Sequence, residues 1–286
     1  MSLALRIIPR LDIKGPNLVK GVHLEGLRVL GKPEDFAKLY YEQGADELIY
    51  QDTVASLYQR NSLTDIITKT AKNIFIPITV GGGLRTLDDI NKVLRAGADK
   101  VAINTAAIKN PNFVTEASRA FGSSTIVVAI ETIKQPNNSY LVYTDNGREH
   151  TGVDAISWAK EAEERGAGEI LLTSIDQEGT GNGFDLELIK RVSDLSTIPV
   201  IAHGGAANDS HISASIKNSG ADAVAIASML HYGALNRNGS LVSDYNTEGN
   251  TEFLKKQGSY KMFGKENISE IKVQLNKYDI PLRILD

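Results

Sequence analysis

Short runs of β-branched and aliphatic residues alternate with amphipathic stretches along most of the chain. Eight runs predict buried parallel strands, because they are apolar almost throughout and too short for helices. They are Leu5–Leu11, Glu47–Gln51, Ile76–Val80, Lys100–Asn104, Thr125–Ile130, Glu169–Ser174, Pro199–Ala202 and Ala223–Ala227. The stretches between them predict helices. From Pro33 to Tyr41 the chain opens with a proline and two acids, then places apolar residues at helical spacing. Thr86–Ala96 starts on a threonine cap, and Val153–Arg165 and Leu186–Val192 follow the same logic. Two segments break the alternation. Lys14–Pro33 reads as a glycine-punctuated loop, and Leu230 to about Asn267 reads as a polar insertion before a last helix, roughly Ile268–Tyr278.

The alternation repeats itself. Gly82-Gly83 leads to Gly97-Ala98-Asp99, and Gly204-Gly205 leads to Gly220-Ala221-Asp222, 122 to 123 positions later. Gly44-Ala45-Asp46 is echoed by Gly166-Ala167-Gly168, and Leu11-Asp12-Ile13-Lys14 by Ile130-Glu131-Thr132-Ile133-Lys134. This period is too long for a solenoid unit. It predicts two halves of four strand–helix units each, meeting near residues 122–125. The fold class is therefore α/β: a single (β/α)8 TIM barrel domain over residues 1–286 with a two-fold internal half-barrel repeat.

Composition changes little in this picture. The net charge of −4 gives no basic footprint for nucleic acid, and the absence of cysteine excludes disulfides and thiolate metal sites. No apolar run approaches the length of a membrane span and the amino terminus shows no signal pattern, so the expected location is cytoplasmic.

Such barrels carry their chemistry on the carboxyl ends of the strands. Gly83 with Asn104 and Thr105, and Gly205 with Ala227 and Ser228, then form two like sites where backbone N–H groups can approach an anion. Two sites on opposite sides of one mouth suggest a bisphosphorylated ligand. Asp12 and Glu131 end equivalent strands across that mouth and can divide acid and base roles; the alternative is a structural salt bridge to Lys14 or Lys134. His203 ends the seventh strand and could touch ligand; the other four histidines read as surface or packing residues, with no metal-ligand spacing. At the opposite end, Arg6, Glu47, Lys100 and Glu169 begin strands one, two, four and six and could close a ring of charges.

The chain resembles the cyclase subunit family of imidazole glycerol phosphate synthase, from histidine biosynthesis. The resemblance rests on Arg6-Ile7-Ile8 with Leu11-Asp12, Val19-Lys20-Gly21, Gly44-Ala45-Asp46-Glu47-Leu48, Thr79-Val80-Gly81-Gly82-Gly83, Gly97-Ala98-Asp99-Lys100-Val101 with Ile103-Asn104-Thr105-Ala106-Ala107, and Gly166 to Asp176. It implies a lyase without cofactor or metal. Such an enzyme works in a heterodimer with a glutaminase whose ammonia crosses the barrel to a bisphosphorylated nucleotide. It further implies Asp12 and Glu131 as catalytic groups and Lys20 on a loop over substrate. Asp52, Thr173, Glu178 and Gly179 join the ligand-facing set. Arg6, Glu47, Lys100 and Glu169 become the ammonia gate, and Asp99 a partner-facing acid. Glu131 stands where the family has Asp, His203 where a small residue is usual, and Gln177-Glu178 where Arg-Asp is usual. These departures keep open a second reading, an ammonia-delivering paralogue serving amidination of a sugar in surface-polysaccharide synthesis. A non-enzymatic scaffold fits the retained Asp12, Lys20 and glycine loops less well.

Overall fold

The computed structural model describes residues 4–55, 63–238, 263–264 and 267–284. Twelve strands are named here: β1 (Arg6–Lys14), β2 (Asn17–Val22), β3 (Glu25–Gly31), β4 (Leu48–Asp52), β5 (Ile78–Gly81), β6 (Lys100–Ile103), β7 (Ile126–Lys134), β8 (Tyr140–Thr144), β9 (Glu149–Asp154), β10 (Glu169–Ser174), β11 (Val200–His203) and β12 (Ala223–Ile226). Eight of them, β1, β4, β5, β6, β7, β10, β11 and β12, pair in parallel in that order, and β12 returns to β1. The sheet is thus a closed barrel, with helices on the connections between its strands. The halves meet at a short 3-10 turn, Ser123–Thr125.

Closure follows from burial on both faces. One apolar cluster fills the space between strands and helices, and a separate cluster of small and branched residues (Ile8, Ile49, Ala102, Val127, Ala129, Leu171, Ile201, Ala223, Ala225) fills the bore. Side chains two apart on a strand share a face. On β1 the inward row is therefore Arg6, Ile8, Arg10 and Asp12, and on β7 it ends at Val127, Ala129 and Glu131.

The Gly-Ala-Asp repeats turn out to be staples. Asp46, Asp99 and Asp222 each donate a backbone N–H to the first residues of the preceding strand in the barrel, Ile7, Ile78 and Val200, at 2.9–3.1 Å. Their carboxylates accept the N–H of the same residues at 2.8–2.9 Å. Gly168 makes only the backbone half of this ring, to Ile126 at 2.8 Å. A Cβ there would lie 2.2 Å from the Ser123 carbonyl, so the turn joining the halves excludes Asp. Asp46 also receives Lys272 from the last helix, Ile268–Asn276, which ties the carboxyl-terminal segment to the first repeat. Asp222→Ala should lower stability by about 1–2 kcal/mol through the lost bond to Val200, read as a shifted denaturation midpoint. An unchanged midpoint would mean the staple contributes nothing. Asp99 is exposed but engaged in the same way.

The structure differs from the sequence reading in four places. The expected loop Lys14–Pro33 contains the antiparallel hairpin β2–β3, joined to β1 in the register Asp12↔Val19. A second hairpin, β8–β9, follows β7 in the same way, with Glu131 opposite Tyr143. Both were hidden because a two-stranded extension at the mouth buries one side only and is broken by glycines. Third, the polar insertion begins with helix: Ser228–Asn238 runs through its first residues. Phe263, at its far end, is buried and stacks on Tyr232, 5.4 Å between ring centres. Residues 239–262 of that insertion lie outside the described residues. The helix expected from Val153 begins at Ala155, because Asp154 caps it through Ser157 N.

Candidate active site

Both glycine pairs leave their strands in the left-handed region. Gly82 has φ +101° and Gly204 φ +103°. A Cβ would lie 2.4 Å from the Asp52 carbonyl at Gly82 and 2.6 Å from the Ser174 carbonyl at Gly204. Asp52 and Ser174 are themselves 122 apart, so the echo in sequence is an echo in packing. The two subsites differ in room. On the Gly83 side a cavity of about 130 Å³ is lined by Asp52, Gly83, Asn104, Thr105 and Glu131, together with Arg85 and Lys109. On the Gly205 side, Glu178, Gly179, His203, Ala227 and Ser228 surround only about 10 Å³. Asn104 gives Nδ2–H to the Tyr143 carbonyl, and Thr105 Oγ1 accepts from Asp145 N, so the β8–β9 hairpin leans on the first subsite. Ser228 Oγ is buried with no hydrogen-bond partner among the described residues and can meet a ligand.

Between the subsites lies a buried cluster of ionisable side chains: Arg10, Asp12, Lys20, Glu131, Glu178 and His203. Arg10 Nε donates to Asp12 at 2.9 Å. Lys20, from β2, reaches Asp12 at 3.7 Å and pairs closely with Glu178. The second Glu178 oxygen accepts Leu24 N at 3.0 Å, which holds the β2–β3 hairpin down over the mouth. The expected alternative partners, Lys14 and Lys134, are not the partners used. Lys134 faces Glu187 at the surface instead.

Electrostatics separates the two catalytic candidates. Burial alone would raise Asp12, but the Arg10 guanidinium and then Lys20 hold it below the usual carboxylate range. Burial pushes Glu131 up to about 7, opposed in part by Arg10 and reinforced by Asp12. Charge balance gives the same answer. Two cations offset Asp12 and Glu178, so a third buried anion would be uncompensated and costly. Burial, then Arg10 and Lys20, push His203 well below its usual value, so it is neutral. Arg10 Nη1 can only donate, at 3.1 Å, so His203 Nδ1 accepts and the ring proton sits on Nε2. His231, on helix Ser228–Asn238, is lowered to about 3 by burial and braces Tyr40 and the Arg10 carbonyl, a packing role as expected.

At the other end of the bore, Arg6 meets Glu47 at 2.7 Å and Glu169 at 2.9 Å, and Lys100 meets the same two acids at 3.2 and 3.0 Å. The four residues form a closed alternating ring. The apolar bore cluster separates it from Arg10 and the carboxylates.

Thr173 joins the cluster through contacts to Arg10 and His203. Arg10, Arg85, Lys109, Asp145 and Asn146 are site residues that sequence reasoning missed. For Arg10 a signal existed: it shares the inward parity of Arg6 and Asp12.

These features define a duplicated (β/α)8 barrel with an ionisable centre between two glycine loops. Residues 6–236 match the family of histidine biosynthesis proteins, and the chain belongs to that family. Among similar proteins is imidazole glycerol phosphate synthase subunit HisF of Legionella pneumophila, 64% identical over 201 residues, which cover 70% of this chain and 95% of that protein. HisF of Trichormus variabilis is 47% identical over 236 residues (82% and 92% of the two chains), and HisF of Methanococcus maripaludis 46% over 250 residues (80% and 92%).

Proposed function

We propose that the protein is the cyclase subunit of a glutamine-dependent imidazole glycerol phosphate synthase. It takes ammonia and a bisphosphorylated ribulosyl-formimino aminoimidazole carboxamide nucleotide to imidazole glycerol phosphate, aminoimidazole carboxamide ribonucleotide and water. The observation that carries this reading is the single axis through the barrel: a ring of four charges, an apolar bore, then two carboxylates of unlike protonation between two glycine loops. An apolar bore admits neutral ammonia and disfavours ions. The ring at its foot is where a glutaminase would dock as the second subunit of a heterodimer, with Asp99 at the rim, in the cytoplasm. Asp12 accepts a proton as ammonia adds, and Glu131 protonates the departing group as the imidazole closes. Gly83, Asn104 and Thr105 hold one phosphate of the ligand; Gly205, Ala227 and Ser228 hold the other. Lys20 and Glu178 close the β2–β3 hairpin over it.

The purified protein should form imidazole glycerol phosphate from the nucleotide with ammonium salts, and with glutamine only when the glutaminase is added. Product formation under neither condition would remove the cyclase reading and leave sugar amidination as the alternative.

A further inference from the structure

Two-fold symmetry alone would make the two carboxylates equivalent. Asp12 lies opposite Gln51 on the neighbouring strand, and Glu131 opposite Thr173. Gln51 and Thr173 are 122 apart, so strand register places Asp12 and Glu131 at matching positions. One step below them on the same inward rows stand Arg10, opposite Ile49, and Ala129, opposite Leu171. These are again a matched pair, and here the chemistry differs completely. Arg10 is 1% exposed and one of the largest fully buried side chains in the protein; Ala129 is part of the apolar bore. The hairpins repeat the asymmetry. Val19 faces Asp12 as Tyr143 faces Glu131, which makes Thr144 the counterpart of Lys20. Both cations of the centre therefore sit on the Asp12 half.

We propose that Arg10 is a positioning residue that breaks the barrel's two-fold symmetry and assigns Asp12 to proton acceptance and Glu131 to proton donation. The assignment rests on the cyclase reading above, but the asymmetry itself does not. Arg10 fixes Asp12 by its Nε–H bond and fixes the His203 tautomer through Nη1. Its Nη2 is buried with no acceptor among the described residues, so there the guanidinium also keeps one donor uncommitted at the centre. Glu131 is held by Gly147 N at 3.1 Å, a neutral donor from the β8–β9 hairpin turn, where Asp12 has a cation. The charged and titratable groups around the pair are Arg10 on β1, Lys20 on β2, Asp52 at the end of β4, and Asp145 after β8, with Arg85 and Lys109 on the Gly83 side of the cavity that Glu131 lines. Glu178 follows β10, His203 ends β11, and His231 lies on the following helix. Among them only Arg10 is a cation carried on a barrel strand. Removing it leaves Lys20 as the one cation of the buried cluster against Asp12, Glu178 and Glu131. Asp12 then loses its advantage, and the two carboxylates compete for one proton.

The test measures carboxyl titrations by ¹³C NMR and pH–rate profiles with ammonium as nitrogen source, in the wild type, Arg10→Met and Arg10→Lys. In Arg10→Met the Asp12 midpoint should rise by about one to three pH units. The acid limb of the rate profile should move with it, and kcat should fall by roughly 10–100-fold while KM for the nucleotide changes less than about three-fold. Arg10→Lys, which keeps the charge, should restore most of the shift and of kcat. An Asp12 midpoint unmoved in Arg10→Met, or a loss confined to KM, would overturn the proposal. Should Arg10→Met fail to fold, Arg10→Gln replaces it in both measurements. If the wild type makes no product, the cyclase reading fails, and the titrations alone still decide whether Arg10 sets the order of ionisation.

Discussion

Asp12→Asn should reduce ammonium-driven formation of imidazole glycerol phosphate by about 10²–10⁴-fold, the usual cost of losing a general acid or base. Asparagine keeps the size of the side chain and can still accept from Arg10 Nε through its carbonyl. It loses the lone pairs of an ionised carboxylate, which are what proton acceptance requires. Asp12 is 2% exposed and held by Arg10 and Lys20, so water cannot substitute for it as a base. The loss should therefore appear in kcat, with KM for the nucleotide little changed, because phosphate binding rests on the glycine loops. A variant retaining more than about a tenth of wild-type kcat would show that Asp12 is not the base. Loss of glutamine-dependent and ammonium-dependent rates together would place the defect at the chemistry rather than in the bore.

Glu131→Gln should cut the same rate by about 10²-fold or more, with an opposite effect on stability. Glu131 is raised to about 7 in the folded protein by burial, against 4.5 when solvated. A group raised in this way contributes stability that is fully present below its unfolded value and is lost as pH climbs through its folded value. Between pH 5 and 8 the wild type should therefore lose stability on the order of 3 kcal/mol from this one group, at about 1.4 kcal/mol per unit. Glutamine carries no such titration. Denaturation at pH 8 should find Glu131→Gln more stable than the wild type, with the gap closing toward pH 5. Equal pH dependence in both proteins would mean that Glu131 is ionised at neutral pH and cannot donate. Glu131→Asp retains an acid but draws back by one C–C bond, about 1.5 Å, from the Gly147 amide. Its activity should fall between that of wild type and glutamine.

Most of the barrel was legible before any coordinates. The eight apolar runs became the eight barrel strands with ends shifted by at most four residues, and the 122-residue echo became a real equivalence, visible in the paired φ values of Gly82 and Gly204. Local sequence carries this information because strand burial demands apolar runs and a tight exit from a strand demands glycine. The Gly-Ala-Asp echoes were equally plain, but their meaning was not. Only the neighbouring strand shows that these aspartates staple backbone N–H groups, and that Gly168 is forced by the Ser123 carbonyl.

The ionisable centre came from tertiary structure. Arg10 and His203 are 193 residues apart and meet at 3.1 Å; Lys20 and Glu178 are 158 apart and pair across the mouth. Sequence parity shows that Arg10 points into the bore, but which side chains it meets there depends on closure of β7 onto β10 and on the register of each pair. The protonation states depend on it still more. By sequence alone Asp12 and Glu131 are two like acids at equivalent strand ends. Burial and fixed distances to Arg10 and Lys20 hold Asp12 below the usual carboxylate range and raise Glu131 to about 7. The chain by itself determined the barrel, its duplication and where its chemistry stands. The fold decided which carboxylate holds its proton more tightly, because charge interactions depend on separation in space and on burial.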